Sequence, residues 1–172
     1  GTYDIFSADL DGDGDEDVLS ANKWANSIAY FENDGNGTFG AAMIINDQQG
    51  GVVDISTFDA DADGDEDVLS VSNHGDKISL FINDGAKNFA PEMIIDADMN
   101  GTRKAIVSDL DNDGDPDIIA SAYNELKWYE NTSGNGVFAS AQNIKEDWGD
   151  LRNINDIKAG DIDNDGDMDV FV

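Results

Sequence analysis

The sequence predicts an all-β fold built from repeats of four short antiparallel strands. An aspartate-rich stretch occurs four times, and its leading aspartates, at positions 9, 59, 109 and 161, are separated by 50, 50 and 52 residues. A short apolar run of strand-forming residues stands directly before and directly after each stretch. A period of about 50 residues with four strands in each repeat is typical of a β-propeller blade rather than of a helical solenoid.

The first two strands of each repeat enclose the aspartate-rich stretch. The first-strand segments read YDIFSA, VVDISTF, KAIVS and INDIKAG in chain order. The second strands are marked by apolar pairs rich in β-branched residues, which fit the pleated surface of a sheet. These pairs are Val18 and Leu19, Val68 and Leu69, Ile118 and Ile119, and Val170 and Phe171.

The third and fourth strands complete each full repeat. The third reads SIAYFEN, ISLFIN or LKWYEN, and a turn of Asn, Asp and Gly connects it to the fourth, AAMIIN, PEMIID or AQNIK. Asn and Gly tolerate positive φ, so these turns suit tight hairpins. Aromatic residues recur in the third strand, and we expect them to pack between blades: Tyr30, Phe31, Phe81, Trp128 and Tyr129.

This parsing gives a single repeat domain, residues 1–172, with three and a half blades. The blades span residues 1–50, 51–100 and 101–152, and residues 153–172 supply half a blade. A propeller closes with about four to eight blades, and an unclosed one exposes strand edges that favour self-association. We therefore expect either part of a larger, about seven-bladed ring or a ring completed by other copies. The start at Gly1 favours an excised or processed piece of a longer protein.

The composition excludes several classes of partner. The formal net charge is −29, and the four aspartate stretches hold 20 Asp together with Glu16 and Glu66, of 38 acidic residues in all. So acidic a chain is expected to repel nucleic acid and anionic lipid. It has no apolar segment of about 20 residues, so we expect no membrane insertion. The absence of cysteine removes disulfides and thiolate chemistry.

Each aspartate stretch follows the pattern D-x-D-x-D-G-D-x-D. Carboxylates at alternate positions of a tight loop can converge on one point, and the glycine permits a sharp turn. A set of hard oxygen ligands suits Ca²⁺, whereas Mg²⁺ requires a stricter octahedron and soft metals prefer Cys or His. We predict about four Ca²⁺ ions, one in each loop, that fasten the first hairpin of every blade.

The predicted ligands take the same positions in every loop. The first, third and fifth positions would ligate through side chains, the seventh through its main-chain carbonyl, and the ninth through a closing bidentate carboxylate. The residues are Asp9, Asp11, Asp13, Asp15 and Asp17; Asp59, Asp61, Asp63, Asp65 and Asp67; Asp109, Asp111, Asp113, Asp115 and Asp117; and Asp161, Asp163, Asp165, Asp167 and Asp169. The turn glycines are Gly14, Gly64, Gly114 and Gly166.

Two alternatives compete with this interpretation of the loops. Asp and Gly also build solvated hairpin turns, but an ordinary turn needs one or two such residues, and five like charges close together would destabilise it. An EF-hand begins with the same D-x-D-x-D-G, but it requires an acid at position twelve and helical flanks. Position twelve is Ser20, Ser70, Ala120 or Val172 here, which disfavours the EF-hand.

The loop pattern, together with FENDGNGTF further along the repeat, resembles the FG-GAP or VCBS repeat, the blade of integrin-α-type seven-bladed propellers. The resemblance extends over the whole chain and recurs four times. It implies one Ca²⁺ in each loop and a secreted, extracellular or cell-surface location. It also implies adhesion, with a glycan or protein as ligand.

The remaining residues give little sign of catalysis. His74 is the chain's one histidine and lies in a polar turn without a neighbouring nucleophile motif, so we predict that the chain is not an enzyme. Trp24 and Trp148 fall in turns, where an indole can stack on a sugar or fold over a blade edge. Two functions stay open: a calcium-stabilised, lectin-like recognition module, and a structural repeat that assembles a larger surface protein or filament. A part of a carbohydrate-active enzyme is a weaker third.

Overall fold

The computed structural model describes residues 1–146 and 154–172. In this part of the chain all regular secondary structure is β-strand. The first sheet contains β1 (Asp4–Ala8), β2 (Asp17–Asn22), β3 (Ser27–Phe31) and β4 (Met43–Asn46). The second contains β5 (Val52–Phe58), β6 (Asp67–Ser72), β7 (Lys77–Phe81) and β8 (Met93–Asp96). The third contains β9 (Lys104–Ser108), β10 (Asp117–Ser121), β11 (Glu125–Tyr129) and β12 (Gln142–Glu146). The last has two strands, β13 (Lys158–Gly160) and β14 (Asp169–Phe171).

Each sheet is an antiparallel meander in which consecutive strands pair. The register repeats, with Ala8 opposite Asp17, Phe58 opposite Asp67 and Ser108 opposite Asp117. The first strands lie side by side, because β1 contacts β5, β5 contacts β9 and β9 contacts β13. Four-stranded meanders arranged in this way around their first strands are the blades of a β-propeller. The predicted fold class is therefore confirmed.

The strands follow the predicted order, with one difference of length. The segment INDIKAG was predicted to be a strand as a whole, but β13 begins only at Lys158. Ile154 and Ile157, just before it, are buried against Ile119 and Leu126 of the third blade, so they serve as packing residues instead. The blade limit between residues 152 and 153 lies outside the described residues.

The hydrophobic core is divided among the interfaces between blades. One cluster joins the first and second blades, a second joins the second and third, and a third joins the third blade to the two-stranded sheet. Tyr30, Phe81 and Tyr129 are each at most 4% exposed within these clusters, and Trp128 packs against the third. The predicted role of the third-strand aromatics is thus confirmed for these four, whereas Phe31 is only half-buried and belongs to none of the clusters.

Buried polar contacts link the innermost strands around the propeller axis. Asp4 Oδ2 accepts a hydrogen bond from the Ile55 amide at 3.2 Å, and Asp54 Oδ2 accepts one from the Ala105 amide at 3.0 Å. In the third blade the corresponding position is Lys104, whose ammonium lies 2.7 Å from Asp54 Oδ1. The first and second blades therefore each anchor the first strand of the next blade.

No helix among the described residues is long and apolar enough to cross a membrane.

Candidate metal centres

The four aspartate loops share one backbone fold that their own side chains hold. Asp9 accepts hydrogen bonds from the amides of Asp13 at 3.1 Å and Gly14 at 2.9 Å. The other three leading aspartates make the same pair of bonds. The sixth-position glycines have φ between +93° and +98°, a conformation that other residues rarely adopt. The predicted need for glycine at this position is confirmed.

Three carboxylates converge in every loop, with oxygen atoms within 4.8 Å of one another. The first and third positions take part in all four groups. The ninth position completes the group in the last three loops, whereas the fifth position does so in the first. The groups are Asp9, Asp11 and Asp13; Asp59, Asp61 and Asp67; Asp109, Asp111 and Asp117; and Asp161, Asp163 and Asp169. Asp63, Asp113, Asp165 and Asp17 stand outside them, and ligation by any of the predicted residues stays a prediction.

The ninth aspartate ties its loop to the rest of the blade. Asp67 is fully buried and accepts hydrogen bonds from the amides of Ala60 at 2.9 Å and Asn83 at 2.8 Å. Asp17 and Asp117 make the equivalent bonds. Asp169 accepts one from Ile162. A carboxylate oxygen has two lone pairs, so these oxygens can hold the backbone and still face a cation.

The seventh aspartate directs its side chain away from the converging group. The carboxylates of Asp15, Asp65 and Asp115 lie against Gly35, Gly85 and Gly134 of the turn after the third strand, where a methyl group would collide with them. Asp167 instead accepts a hydrogen bond from Asn112 at 3.2 Å. None of the four joins a three-carboxylate group. Their predicted main-chain ligation stays a prediction.

The second loop carries clear electrostatic strain. Asp61 Oδ1 is buried and accepts no hydrogen bond. Desolvation and the neighbouring charge of Asp63 raise the pKa of Asp61, and burial raises the pKa of Asp67 to about 6. A buried carboxylate oxygen without a partner is costly, and a cation among the converging oxygens would remove that cost. Hard oxygen donors in this arrangement fit Ca²⁺.

Residues from the next blade cover the first two loops. Asn83 of the second blade donates to the carbonyl of Leu10 at 2.8 Å, and Asn131 of the third blade donates to the carbonyl of Ala60 at 3.0 Å. Leu10 and Ala60 are themselves buried in the clusters between blades. The loop pattern in the sequence does not predict these asparagines, although each opens the turn after a third strand.

A lysine from the second blade also reaches the first loop. The Lys87 ammonium lies 2.5 Å from Asp11 Oδ2 and 3.1 Å from Glu32 Oε1. The hydrogen bond with Lys87 lowers the pKa of Asp11, and the same bond raises the pKa of Lys87. Burial has the opposite effect in the third loop, where it raises the pKa of Asp111.

A polar cavity lies at the other end of the inner strands. Asp4, Asp54 and Lys104 start or lie near the start of their strands, whereas the loops follow the ends of the same strands. A cavity of about 480 Å³ opens there, and its lining includes Tyr3, Lys23, Asn73, Arg103 and Asn155. Lys23 contacts the faces of Tyr3 and Trp24. Three of the chain's nine cationic side chains thus gather at the end opposite the aspartate loops.

Of the two tryptophans predicted to lie in turns, Trp24 lies near this cavity, beside Lys23. Trp24 is 74% exposed, and its ring centre lies 6.3 Å from that of His74, which is also exposed. Trp148 is outside the described residues.

The strands that flank every loop exclude the EF-hand alternative, because an EF-hand loop joins two helices.

A model of the FG-GAP-like repeat matches residues 9–70, 59–120 and 109–172. The chain belongs to the FG-GAP-like repeat family. Each matched segment begins at the leading aspartate of one loop and ends shortly after the next loop, so the FG-GAP-like match rests on the same loops as the three-carboxylate groups. No curated protein matches the chain significantly.

Solved structures share the fold at low sequence identity. One is an Agrocybe aegerita lectin that specifically recognises non-reducing terminal N-acetylglucosamine. It is 22% identical with a TM-score of 0.66, and the match covers 96% of this chain and 45% of the lectin. The V. cholerae biofilm matrix protein Bap1 is 22% identical with a TM-score of 0.50, over 97% of this chain and 27% of Bap1. The Photorhabdus luminescens Tc holotoxin pore is 20% identical with a TM-score of 0.50, and the match covers 91% of this chain and 8% of the toxin chain. This FG-GAP-like chain therefore spans less than half the length of each.

Proposed function

We propose that this chain is a calcium-binding recognition module of a secreted or cell-surface protein, with one Ca²⁺ in each aspartate loop and a glycan or protein as its ligand. The observation that carries the calcium proposal is the second loop, where three carboxylates converge and Asp61 Oδ1 is buried without a hydrogen-bond partner. The other loops repeat this arrangement in outline. Membership of the FG-GAP-like repeat family supports the same conclusion.

Calcium in this proposal is a structural ion. The first, third and ninth aspartates would supply carboxylate oxygens, with the fifth in place of the ninth in the first loop. The ion would neutralise charge where the chain is most acidic and hold the first hairpin of each blade. Because the ligands are scattered in the unfolded chain, binding is coupled to folding.

Thermal melting with and without calcium tests this role. A site that binds only the folded state adds about 1.4 kcal/mol when free calcium is about tenfold above its dissociation constant. Removal of calcium by EDTA should therefore lower the melting temperature markedly, and millimolar magnesium should restore little of it. Native mass spectrometry would count the ions. An equal melting temperature in calcium and in EDTA would refute the proposal.

The polar cavity opposite the loops is the proposed ligand site. It combines an aromatic ring, amides, cationic groups and the carboxylates of Asp4 and Asp54, which suit the hydroxyl groups of a glycan. The fold shared with a lectin that recognises terminal N-acetylglucosamine supports a glycan as ligand. We propose recognition and not catalysis, because the chain's single histidine is exposed in a turn.

A glycan array in calcium tests recognition. If the chain binds defined glycans, and if Lys23→Gln weakens this binding while Lys158→Gln leaves it intact, the ligand lies at the cavity. Lys158 is a matched control because it is exposed on β13 and does not line the cavity. Calcium-dependent self-association without glycan binding would favour the alternative, an assembling structural repeat. The exposed side chains of Ile5 and Phe6 on the first inner strand give that alternative a surface.

A further inference from the structure

The turn after the third strand of one blade lies over the aspartate loop of the blade before it. Asn83 contacts the first loop and Asn131 contacts the second in the same way. Two residues before the turn's closing phenylalanine, the second blade has Lys87 and the third has Gly136. Both have positive φ, +64° for Lys87 and +73° for Gly136. The two positions are therefore structurally equivalent.

The side chains at these equivalent positions give the two loops different partners. Lys87 places its ammonium against Asp11, the third-position carboxylate of the first loop. Gly136 has no side chain, and a Cβ built on it would lie 3.5 Å from Cβ of Asp61, the third-position carboxylate of the second loop. Asp61 Oδ1 is buried without a hydrogen-bond partner. One loop thus has a built-in cation where the other has none.

The first loop also differs from the others in which carboxylates converge. In the second, third and fourth loops the group includes the ninth aspartate, but in the first loop Asp17 is replaced by Asp13. The first loop is the one whose third-position carboxylate also faces Lys87. The ion pair is partly buried, with side-chain exposures of 22% for Lys87 and 11% for Asp11, so solvent screens it less than a surface pair.

We propose that Lys87 is a tethered counter-ion that weakens calcium binding at the first loop, so that the second loop fills before the first. This inference rests on the proposed calcium function. Calcium at the first loop must displace the ammonium from Asp11 or bind close to a like charge, and either costs binding free energy. We expect the midpoint of calcium binding at the first loop to be raised by about tenfold or more relative to the second.

Amide NMR of the loop glycines resolves the sites individually. The amides of Gly14 and Gly64 donate to the leading aspartate of their own loops, so each reports its own loop. In a calcium titration of the whole chain, the Gly64 signal should shift before the Gly14 signal. Lys87→Gly should lower the calcium midpoint of the Gly14 signal to that of the Gly64 signal. Glycine also adopts the positive φ at position 87 without strain, so the variant should fold.

The reciprocal change and two controls complete the experiment. Gly136→Lys should raise the Gly64 midpoint, and Lys87→Arg should keep the Gly14 midpoint high because the cation remains. Lys158→Gln removes the same charge from an exposed side chain on β13 and should leave both midpoints unchanged. Equal midpoints in the original chain, or a Gly14 midpoint that Lys87→Gly does not change, would overturn the inference alone. A lack of response at all loop glycines in millimolar calcium would overturn the calcium proposal itself.

Discussion

Asn83→Ala tests the contact that joins a blade to the loop before it. The fully buried side chain donates to the carbonyls of Leu10 at 2.8 Å and Glu66 at 3.2 Å, and alanine would leave both acceptors without this donor. Each lost bond costs about 1 to 1.5 kcal/mol. The substitution also removes Asn83 Oδ1, which is buried without a partner, and this offsets the loss by a desolvation cost of about 1 kcal/mol. We therefore expect a loss of about 1 to 2 kcal/mol in the free energy of unfolding.

Asn33→Ala is the matched control, because Asn33 opens the same turn in the first blade. Its side chain is half-buried, donates to the Glu16 carbonyl of its own blade at 3.1 Å and accepts from the Gly35 amide at 3.2 Å. Both bonds are exposed to solvent, so we expect a loss of only about 0.5 to 1 kcal/mol. The backbone amides that bond to Asp17 and Asp67 stay in both variants. Urea unfolding in saturating calcium, compared at a constant m-value, measures both losses. If the two substitutions cost the same, the contact between blades contributes no extra stability and the reasoning is wrong.

Two further predictions concern the loops. Gly85→Ala should destabilise the chain by more than Gly12→Ala in urea unfolding, because both glycines have φ of +70° but only Gly85 faces the Asp65 carboxylate; equal losses would argue against that contact. The folded pKa of Asp67, about 6, is above its ordinary value of 3.8, so the metal-free fold holds a proton that the unfolded chain releases. This proton should lower the stability of the metal-free fold by up to about 3 kcal/mol as the pH rises from about 4 to about 6. Asp67→Asn should reduce this dependence in calcium-free melting curves and leave the part due to Asp54, whose pKa burial also raises to about 6. A melting temperature that rises over this range in both proteins would contradict the assignment.

The sequence predicts what is local within one repeat. Alternating aspartates around a glycine define the loop because the convergence of Asp59 and Asp61 depends on a few residues of backbone. The apolar, β-branched runs on either side define the first hairpin, because such residues favour burial in a sheet, and β6 and β10 are buried along their whole length. These patterns recur at a nearly constant period, so the blade follows from them directly.

Contacts between blades lie beyond this kind of prediction. Asn83 and Leu10 are 73 positions apart, and Lys87 and Asp11 are 76 positions apart, so no local pattern pairs them. The repeat gives the strands of each blade, but the depth at which one blade covers the next depends on packing. The two turns over the loops differ in length as well as sequence, which hides the equivalence of Lys87 and Gly136.

One backbone requirement of the loops did leave a signal in the sequence. The fourth loop position has φ between +60° and +70°, in Gly12, Ala62, Asn112 and Asn164. Glycine and asparagine tolerate this region best, so their presence at three of the four positions indicates it. Ala62 conceals the rule in the second loop, where the strained conformation is held by the same hydrogen bonds of the leading aspartate.

The asparagine contacts between blades run in one direction, from each turn back to the loop made earlier in the chain. During synthesis, the ribosome therefore delivers the first aspartate loop well before the residue that covers Leu10. The nascent first blade must expose its acidic loop until the second blade has emerged and docked. Assembly from the amino-terminal end thus covers the first and second loops one blade late, and a stall in translation would leave Leu10 or Ala60 open to solvent and to chaperones.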